Sequence, residues 1–266
     1  MFNELGFQGM HVFKDVPKFS FFHKPTLLEK LEKLSGELGV EVYVKRDDAI
    51  EFAMGGNKVK KLEFIVGEAL ANELERKGAK PYVIPLGRAI PTGVLGYVEA
   101  SFEIAKQVEE LGIKPKYIVH ASGFGGTQAG LVLGSKLAKL EAKIIGIDII
   151  GKPELPQKIL ELTREASEKY GFKANVESKD IIVYDYSFGG YGVLSEKITK
   201  IIVDVARTEG LLLDPVYTAK AFAGLLDLIG KGVIEQGSQV IFIHTGGYPI
   251  IFQHGEEMFK LMKGES

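Results

Sequence analysis

The chain has 266 residues, 45% of them hydrophobic and 26% charged, enough to bury a core in one large domain or two modest ones. Its formal net charge of −2, with both signs interspersed, points away from nucleic acid and anionic membranes as partners. It has no cysteine, which excludes disulfides, thiolate catalysis and cysteine-ligated metals, and no apolar run long enough to span a bilayer.

In chain order, Met1 to Leu5 lacks the basic-then-apolar layout of a secretory signal, so a cytoplasmic location is expected. Lys and Glu greatly outnumber Arg, Asp, Asn and Gln, the balance reported for hyperthermophile proteins. Residues 1–25 read as irregular, with aromatics packing on the body. A helix is expected from Thr26, with Leu27, Leu28, Leu31, Leu34 and Leu38 on one side and Gly39 as its stop. Val40 to Val44 reads as a strand ending in Lys45-Arg46-Asp47-Asp48. Gly55-Gly56 then opens a helix from Lys58 to about Lys77, with Gly78 as its cap. Tyr82 to Ile84 reads as a strand, residues 85–93 as a loop, and Val94 to Leu111 as a helix.

Tyr117 to Val119 is expected as a strand, Ser122 to Thr127 as a glycine-rich turn, and Gln128 to Leu140 as a helix. Lys143 to Ile149 is expected as a strand, 155–170 as a helix and Ile181 to Tyr184 as a strand. Helices follow near 193–208 and 219–230, and Gln239 to His244 is a final strand closed by Thr245-Gly246-Gly247. Helices alternating with short apolar strands predict an α/β fold with a twisted, mainly parallel sheet.

Four segments carry chemistry. At Gly55-Gly56-Asn57-Lys58 the glycines allow a sharp turn and a close approach to a ligand. Lys58 stands where the loop becomes a helix, beside N–H groups that attract anions. There a lysine can act as a nucleophilic amine and form a Schiff base; the plainer reading is a solvated lysine at a helix start. Ser122-Gly123-Phe124-Gly125-Gly126-Thr127 runs strand, glycines, helix, which suits either a phosphate cradle or a tight turn. It matches neither the dinucleotide fingerprint nor a P-loop. Tyr217, in Asp214-Pro215-Val216-Tyr217-Thr218, offers an aromatic face or a phenol, or simple packing. His244 could serve as a general base, but a satisfied structural histidine is the better reading. The five histidines show no metal-ligand spacing, so no metal is expected.

A Schiff-base lysine, a phosphate cradle and an aromatic face together are what pyridoxal phosphate requires. The segments Gly55–Glu63, Ser122–Thr127, Asp185–Gly192, Ala206–Gly210, Leu213–Thr218 and His244–Gly247 resemble the D-cysteine desulfhydrase and 1-aminocyclopropane-1-carboxylate deaminase family. These are fold-type II, tryptophan synthase β-like, pyridoxal phosphate enzymes. The resemblance runs in order from about residue 40 to 255. It implies that Lys58 carries the cofactor and moves the substrate's α-proton. Gly123, Gly125, Gly126 and Thr127 hold the phosphate, and Asn57 belongs to the same cofactor-binding set. Tyr217 lies at the cofactor ring, Tyr191 lines the substrate pocket, and Thr218 faces the pyridine nitrogen. The family's deaminases are similar but place a glutamate there; a neutral threonine suits proton removal and β-elimination. D-cysteine is therefore the expected substrate, giving sulfide, pyruvate and ammonia, with a homodimer implied by the resemblance alone.

The chain departs from that pattern. The family's Ser-Asn-His segment is absent, and the helix after Lys58 runs from Leu70 straight into Ala71-Asn72-Glu73-Leu74, as if about two βαβ units were missing. Phe124 replaces a small residue, and Arg88 and Ile90 replace a glycine and a small polar residue. The expected organisation is a large cofactor-binding domain of residues 1–39 and 112–266, with a reduced small domain at 40–111 carrying Lys58. A natural shortening, an engineered deletion and a segment left out of the sequence all account for the gap. Within the family the alternative is a 1-aminocyclopropane-1-carboxylate deaminase, and one rival reading outside it is a non-catalytic relative that binds the cofactor or a partner without turnover. Another is a nicotinamide-dependent oxidoreductase, which predicts no Schiff base at Lys58.

Overall fold

The computed structural model describes residues 10–13, 16–75 and 89–264. The first elements are β1 (Leu28–Lys30), α1 (Glu32–Leu38), β2 (Glu41–Lys45), α2 (Asn57–Glu75) and α3 (Pro91–Leu111). There follow β3 (Tyr117–Ser122), α4 (Gly126–Leu137), β4 (Lys143–Asp148), α5 (Leu155–Tyr170) and β5 (Ile182–Asp185). The last are α6 (Glu196–Glu209), α7 (Thr218–Gly230), β6 (Gln239–Ile243) and α8 (Ile250–Lys263). The strands form one six-stranded sheet of order β1-β2-β6-β3-β4-β5. Every pair is parallel except β1 with β2. The expected mainly parallel α/β sheet is present.

Period-two alternation sends side chains to two apolar layers. Val42, Val44, Val119, Ile145 and Phe242 meet α1, α6 and α7 on one face. Tyr43, Ile118, Ile144 and Ile241 meet α3, α4 and α5 on the other. Near-continuous Val and Ile runs such as Val240-Ile241-Phe242-Ile243 follow from burial on both faces.

Several boundaries differ from expectation. No helix begins at Thr26. Leu28 to Lys30 instead pairs antiparallel with β2, opposite Lys45 to Tyr43, and Thr26 is held by Asp47 and Glu103. The edge of β2 offers these residues hydrogen bonds that a helical turn would forgo. Helix α3 starts at Pro91, whose missing N–H suits a first turn, rather than at Val94. Helix α4 starts two residues earlier than expected and ends at Leu137. Ser195 caps α6, its hydroxyl accepting from the Ile198 N–H at 3.4 Å, so that helix starts at Glu196. Helix α8 was not anticipated. The expected strand at Tyr82–Ile84, the end of the Lys58 helix at Lys77–Gly78, and Arg88 lie outside the described residues.

The sheet does not draw a boundary at residues 39 and 40. Strand β2, inside the 40–111 segment, pairs with β6 from Glu41 opposite Gln239 to Lys45 opposite Ile243. It therefore belongs to the same sheet as the 112–266 part.

Candidate active site

Parallel strands gather their carboxyl ends along one edge, where crevices form between the loops that follow. Here the loops after β2, β3 and β6 meet the starts of α2, α4 and α7. The Gly56 N–H donates to the Asp47 carbonyl at 2.7 Å, and the Asn57 N–H to the Thr245 carbonyl at 3.1 Å. Gly56 (φ +95°) passes so close to the loop after β6 that a Cβ there would stand 2.9 Å from the Thr245 oxygen. The Asn57 amide donates to Thr127 Oγ1 at 3.1 Å, tying the start of α2 to the start of α4.

Lys58 Nζ lies 5.1 Å from the centre of the Tyr217 ring and 3.4 Å from Asn57 Oδ1. The hydroxyls of Tyr217 and Tyr191 are 2.5 Å apart. Burial and the Tyr191 hydroxyl raise the Tyr217 phenol above its ordinary value, so it stays protonated and able to donate. Lys58, Asn57, Thr127, Tyr191 and Tyr217 thus form one connected group. Thr218 is wholly buried beside it, but its hydroxyl is committed: it donates to Asp214 Oδ1 at 2.7 Å and accepts from the Asp214 N–H at 2.7 Å. Asp214, which sequence reasoning missed, builds this helix start. Its carboxylate also accepts from the N–H groups of Val216, Tyr217 and Thr218.

The glycine turn ends β3 and opens α4. Gly125 (φ +83°) precedes the helix, and no side chain caps the first N–H groups. A Cβ at Gly126 would stand 3.3 Å from Lys61 Nζ. Lys61, also missed from sequence, is a buried lysine whose ammonium thus stands at the mouth of the turn. Its place one helical turn beyond Lys58 was the available signal. Ser122 Oγ, at the end of β3, is buried with no hydrogen-bond partner among the described residues. Uncapped N–H groups at a helix start, an adjacent ammonium and an orphaned hydroxyl are features that suit a phosphate-bearing ligand. Gly123 belongs to the same turn, where a Cβ would stand 3.2 Å from Ile150 Cδ1 and 3.5 Å from Ile149 Cδ1. Phe124 is half-buried, with Lys152 Nζ 5.1 Å from its ring centre. A Gly125→Ala change forces a left-handed φ on alanine and brings its Cβ 2.8 Å from Ile159 Cγ1. The expected loss is about 1–2 kcal/mol or more of stability in thermal unfolding, together with weaker phosphate binding.

His244 is structural, as expected. Its Nδ1 accepts from the Gly246 N–H at 3.2 Å, so Nε2 carries the proton and donates to the Leu212 carbonyl at 2.8 Å. Both nitrogens are used. His120, buried in β3, is held down to about 4 by burial and is neutral. Among the described residues no group of His, Asp or Glu could hold a metal ion.

Beneath the start of α2 lies a buried ionic cluster that sequence reasoning did not find. Lys60 Nζ is 2.9 Å from Glu103 Oε2 and 3.2 Å from Asp47 Oδ1. Lys45 bonds Glu103, the Thr26 carbonyl at 2.6 Å and Gln107 Oε1 at 2.8 Å. The Tyr97 hydroxyl donates to Asp47 Oδ2 at 2.7 Å. Burial opposes every charge here, but Asp47 and Glu103 outweigh it at Lys60 and raise its pKa. At Lys45, burial and the Lys60 charge prevail and pull the ammonium down to about 8. Burial works against the Glu103 carboxylate too, yet Lys60 and Lys45 hold it at about 2.

Comparison with known proteins identifies the family. Residues 66–246 match the family model described as pyridoxal-phosphate dependent enzyme. A Pyrococcus abyssi protein provisionally named 1-aminocyclopropane-1-carboxylate deaminase is 36% identical, over 92% of this chain and 96% of its own length. The D-cysteine desulfhydrase of Salmonella typhimurium is 31% identical over 92% of this chain and 98% of its own. A crystal structure titled as an ACC deaminase homologue superposes with a TM-score of 0.85 at 33% identity, covering 95% of this chain and 98% of the other. The match to the P. abyssi protein runs over 321 positions, more than the 266 residues here, so that relative carries residues without counterpart in this chain.

Proposed function

The chain belongs to the pyridoxal-phosphate-dependent enzymes, in the group that holds 1-aminocyclopropane-1-carboxylate deaminases and D-cysteine desulfhydrases, and on that premise we propose that it desulfhydrates D-cysteine. Its cofactor is pyridoxal phosphate, which when bound supplies an electron sink for the charge left as the α-proton departs. The turn of Gly123, Gly125, Gly126 and Thr127 offers the N–H groups for the phosphate, Lys61 neutralises it, and Asn57 steadies Thr127. Lys58, over the Tyr217 ring, is the lysine that carries the cofactor and moves the α-proton. Tyr217 keeps its proton and offers a neutral hydrogen-bond donor beside Lys58, and Tyr191 orients that hydroxyl from the substrate side. Sulfide then leaves Cβ, and hydrolysis of the three-carbon remainder gives pyruvate and ammonia.

The observation that carries the choice of substrate is Thr218. At the start of α7 stands a neutral residue whose hydroxyl is tied to Asp214, not a carboxylate free to face a ring nitrogen. Deamination of 1-aminocyclopropane-1-carboxylate is the second reading, favoured by the name given to relatives 34–36% identical. We extend the proposal to a homodimer in the cytoplasm and to a reduced small domain, α2 and α3 of the 40–111 segment, that presents Lys58. No helix among the described residues is long and apolar enough to cross a membrane.

Assays of the cofactor-loaded protein with D-cysteine, L-cysteine and 1-aminocyclopropane-1-carboxylate separate these readings. Sulfide from D-cysteine is the expected result. Ammonia from the cyclopropane substrate without sulfide from D-cysteine selects the deaminase. Cofactor binding with no product from any of them selects a relative without turnover, the outcome favoured if the absent residues close the crevice to water.

A further inference from the structure

The loop from Tyr186 to Gly192 joins β5 to α6 and delivers Tyr191 to the crevice. Its entry is tied down. The Tyr186 N–H donates to the Asp148 carbonyl at 2.9 Å, and its hydroxyl lies 2.5 Å from Asp227 Oδ2. Beyond that point the backbone takes positive φ at Phe188 (50°), Gly189 (91°), Gly190 (121°) and Gly192 (76°). Such a path persists only where its surroundings over-determine it, above all at the non-glycine Phe188. The Gly190 N–H closes a turn onto the Ser187 carbonyl at 3.1 Å.

The same carbonyl is reached from α7. Lys220, wholly buried at 0% exposure, donates from Nζ to Ser187 O at 2.7 Å and to Gly190 O at 2.6 Å. A buried ammonium is costly unless its donors are used, and both of these serve the shape of one loop. Burial pulls the Lys220 ammonium below the ordinary lysine value, with the Asp214 charge opposing.

We propose that Lys220 is a positioning residue: its ammonium is a built-in cation that gathers the Ser187 and Gly190 carbonyls and thereby holds Tyr191 against Tyr217. Helix α7 carries the clamp, and Tyr217 stands at its N-cap, so a single rigid element sets both sides of the 2.5 Å contact between the two phenols. The consequence for turnover rests on the reading of the crevice as a cofactor and substrate site. The clamp itself does not.

Hydrogen exchange of the 187–192 amides in the cofactor-free protein tests it. In Lys220→Ala, which removes the atoms of a propylammonium ion, exchange of this loop is expected to rise about tenfold or more. Protection of β4 and of α7 beyond its first turn is expected to stay. Added propylammonium restores the slow exchange, and 1-propanol, which fills the same space without charge, does not. Unchanged loop exchange in the variant overturns the proposal, as does equal rescue by propanol. Lys220→Met keeps the aliphatic stem and serves if the alanine variant does not fold, with the same rise expected. Loss of the fold in both variants makes Lys220 a core stability residue and also overturns it. Because neither cofactor nor substrate is added, failure here leaves the proposed reaction untouched, and failure of that reaction leaves the clamp standing.

Discussion

Lys58→Ala abolishes the visible absorption band that forms when pyridoxal phosphate is added, and lowers product formation by about 10²–10⁴-fold or more. The size of the effect follows from the two roles proposed for this one amine, the covalent link to the cofactor and the movement of the α-proton. The fold tolerates the change. Lys58 is exposed in the first turn of α2, and alanine is the strongest helix former, so stability shifts by no more than about 0.5 kcal/mol. Lys58→Arg keeps the charge over Tyr217 but cannot make the link, and is expected to fail equally. The control is Lys61→Ala. That lysine stands beside Gly126, so its loss weakens cofactor affinity while the band still forms at saturating cofactor. A band that survives in Lys58→Ala and vanishes in Lys61→Ala would reassign the two lysines.

Glu103→Gln costs about 3–5 kcal/mol of unfolding free energy, read from denaturant melts at neutral pH. The substitution keeps the shape and removes one of two carboxylates that face two buried ammonium groups. Lys60 is left with Asp47, and Lys45 with the neutral oxygens of Thr26 and Gln107. The same group sets an acid limb. Glu103 titrates at about 2 in the folded protein against an ordinary 4.5, so the folded state holds fewer protons than the unfolded chain between those values. Its contribution is therefore complete above about pH 4.5 and is lost as pH falls toward about 2. The Gln variant should show a flatter stability profile in that window. A variant as stable as the parent, with the same acid limb, would mean that the cluster relaxes or hydrates when opened. Since Lys60 lies two residues beyond Lys58, the Gln variant is also expected to bind the cofactor more weakly.

The parallel sheet, most of its strands and the four chemistry-bearing segments are legible in the sequence. Each rests on local pattern: apolar runs such as Val240 to Ile243, and glycines where the chain must turn, as at Gly125. Some helix ends were misplaced for local reasons, as at Pro91 and Ser195, but the failures that bear on the site are long-range. Thr26 to Lys30 has a helix-like leucine spacing, yet it joins β2 because that edge is within reach. Lys45 and Asp47 read as the polar end of a strand, and nothing nearby in sequence announces Glu103 and Lys60 as their partners. Thr218 reads as a residue facing a ligand, while the fold commits its hydroxyl to Asp214. Tyr191 lies on a loop whose course depends on Lys220, some thirty residues away.

By itself the sequence determined the α/β class, through periodicity and glycine placement, and the cofactor, through side-chain chemistry and the resemblance that its motifs carry in order; the same resemblance makes Lys58 the proposed carrier. Only the tertiary structure decided that β2 and β6 lie side by side, that Asn57 meets Thr127, and that Lys58 stands over a tyrosine from the other end of the chain. Those contacts join segments far apart in sequence, and their register is set by burial on both faces of the sheet, which no local pattern contains.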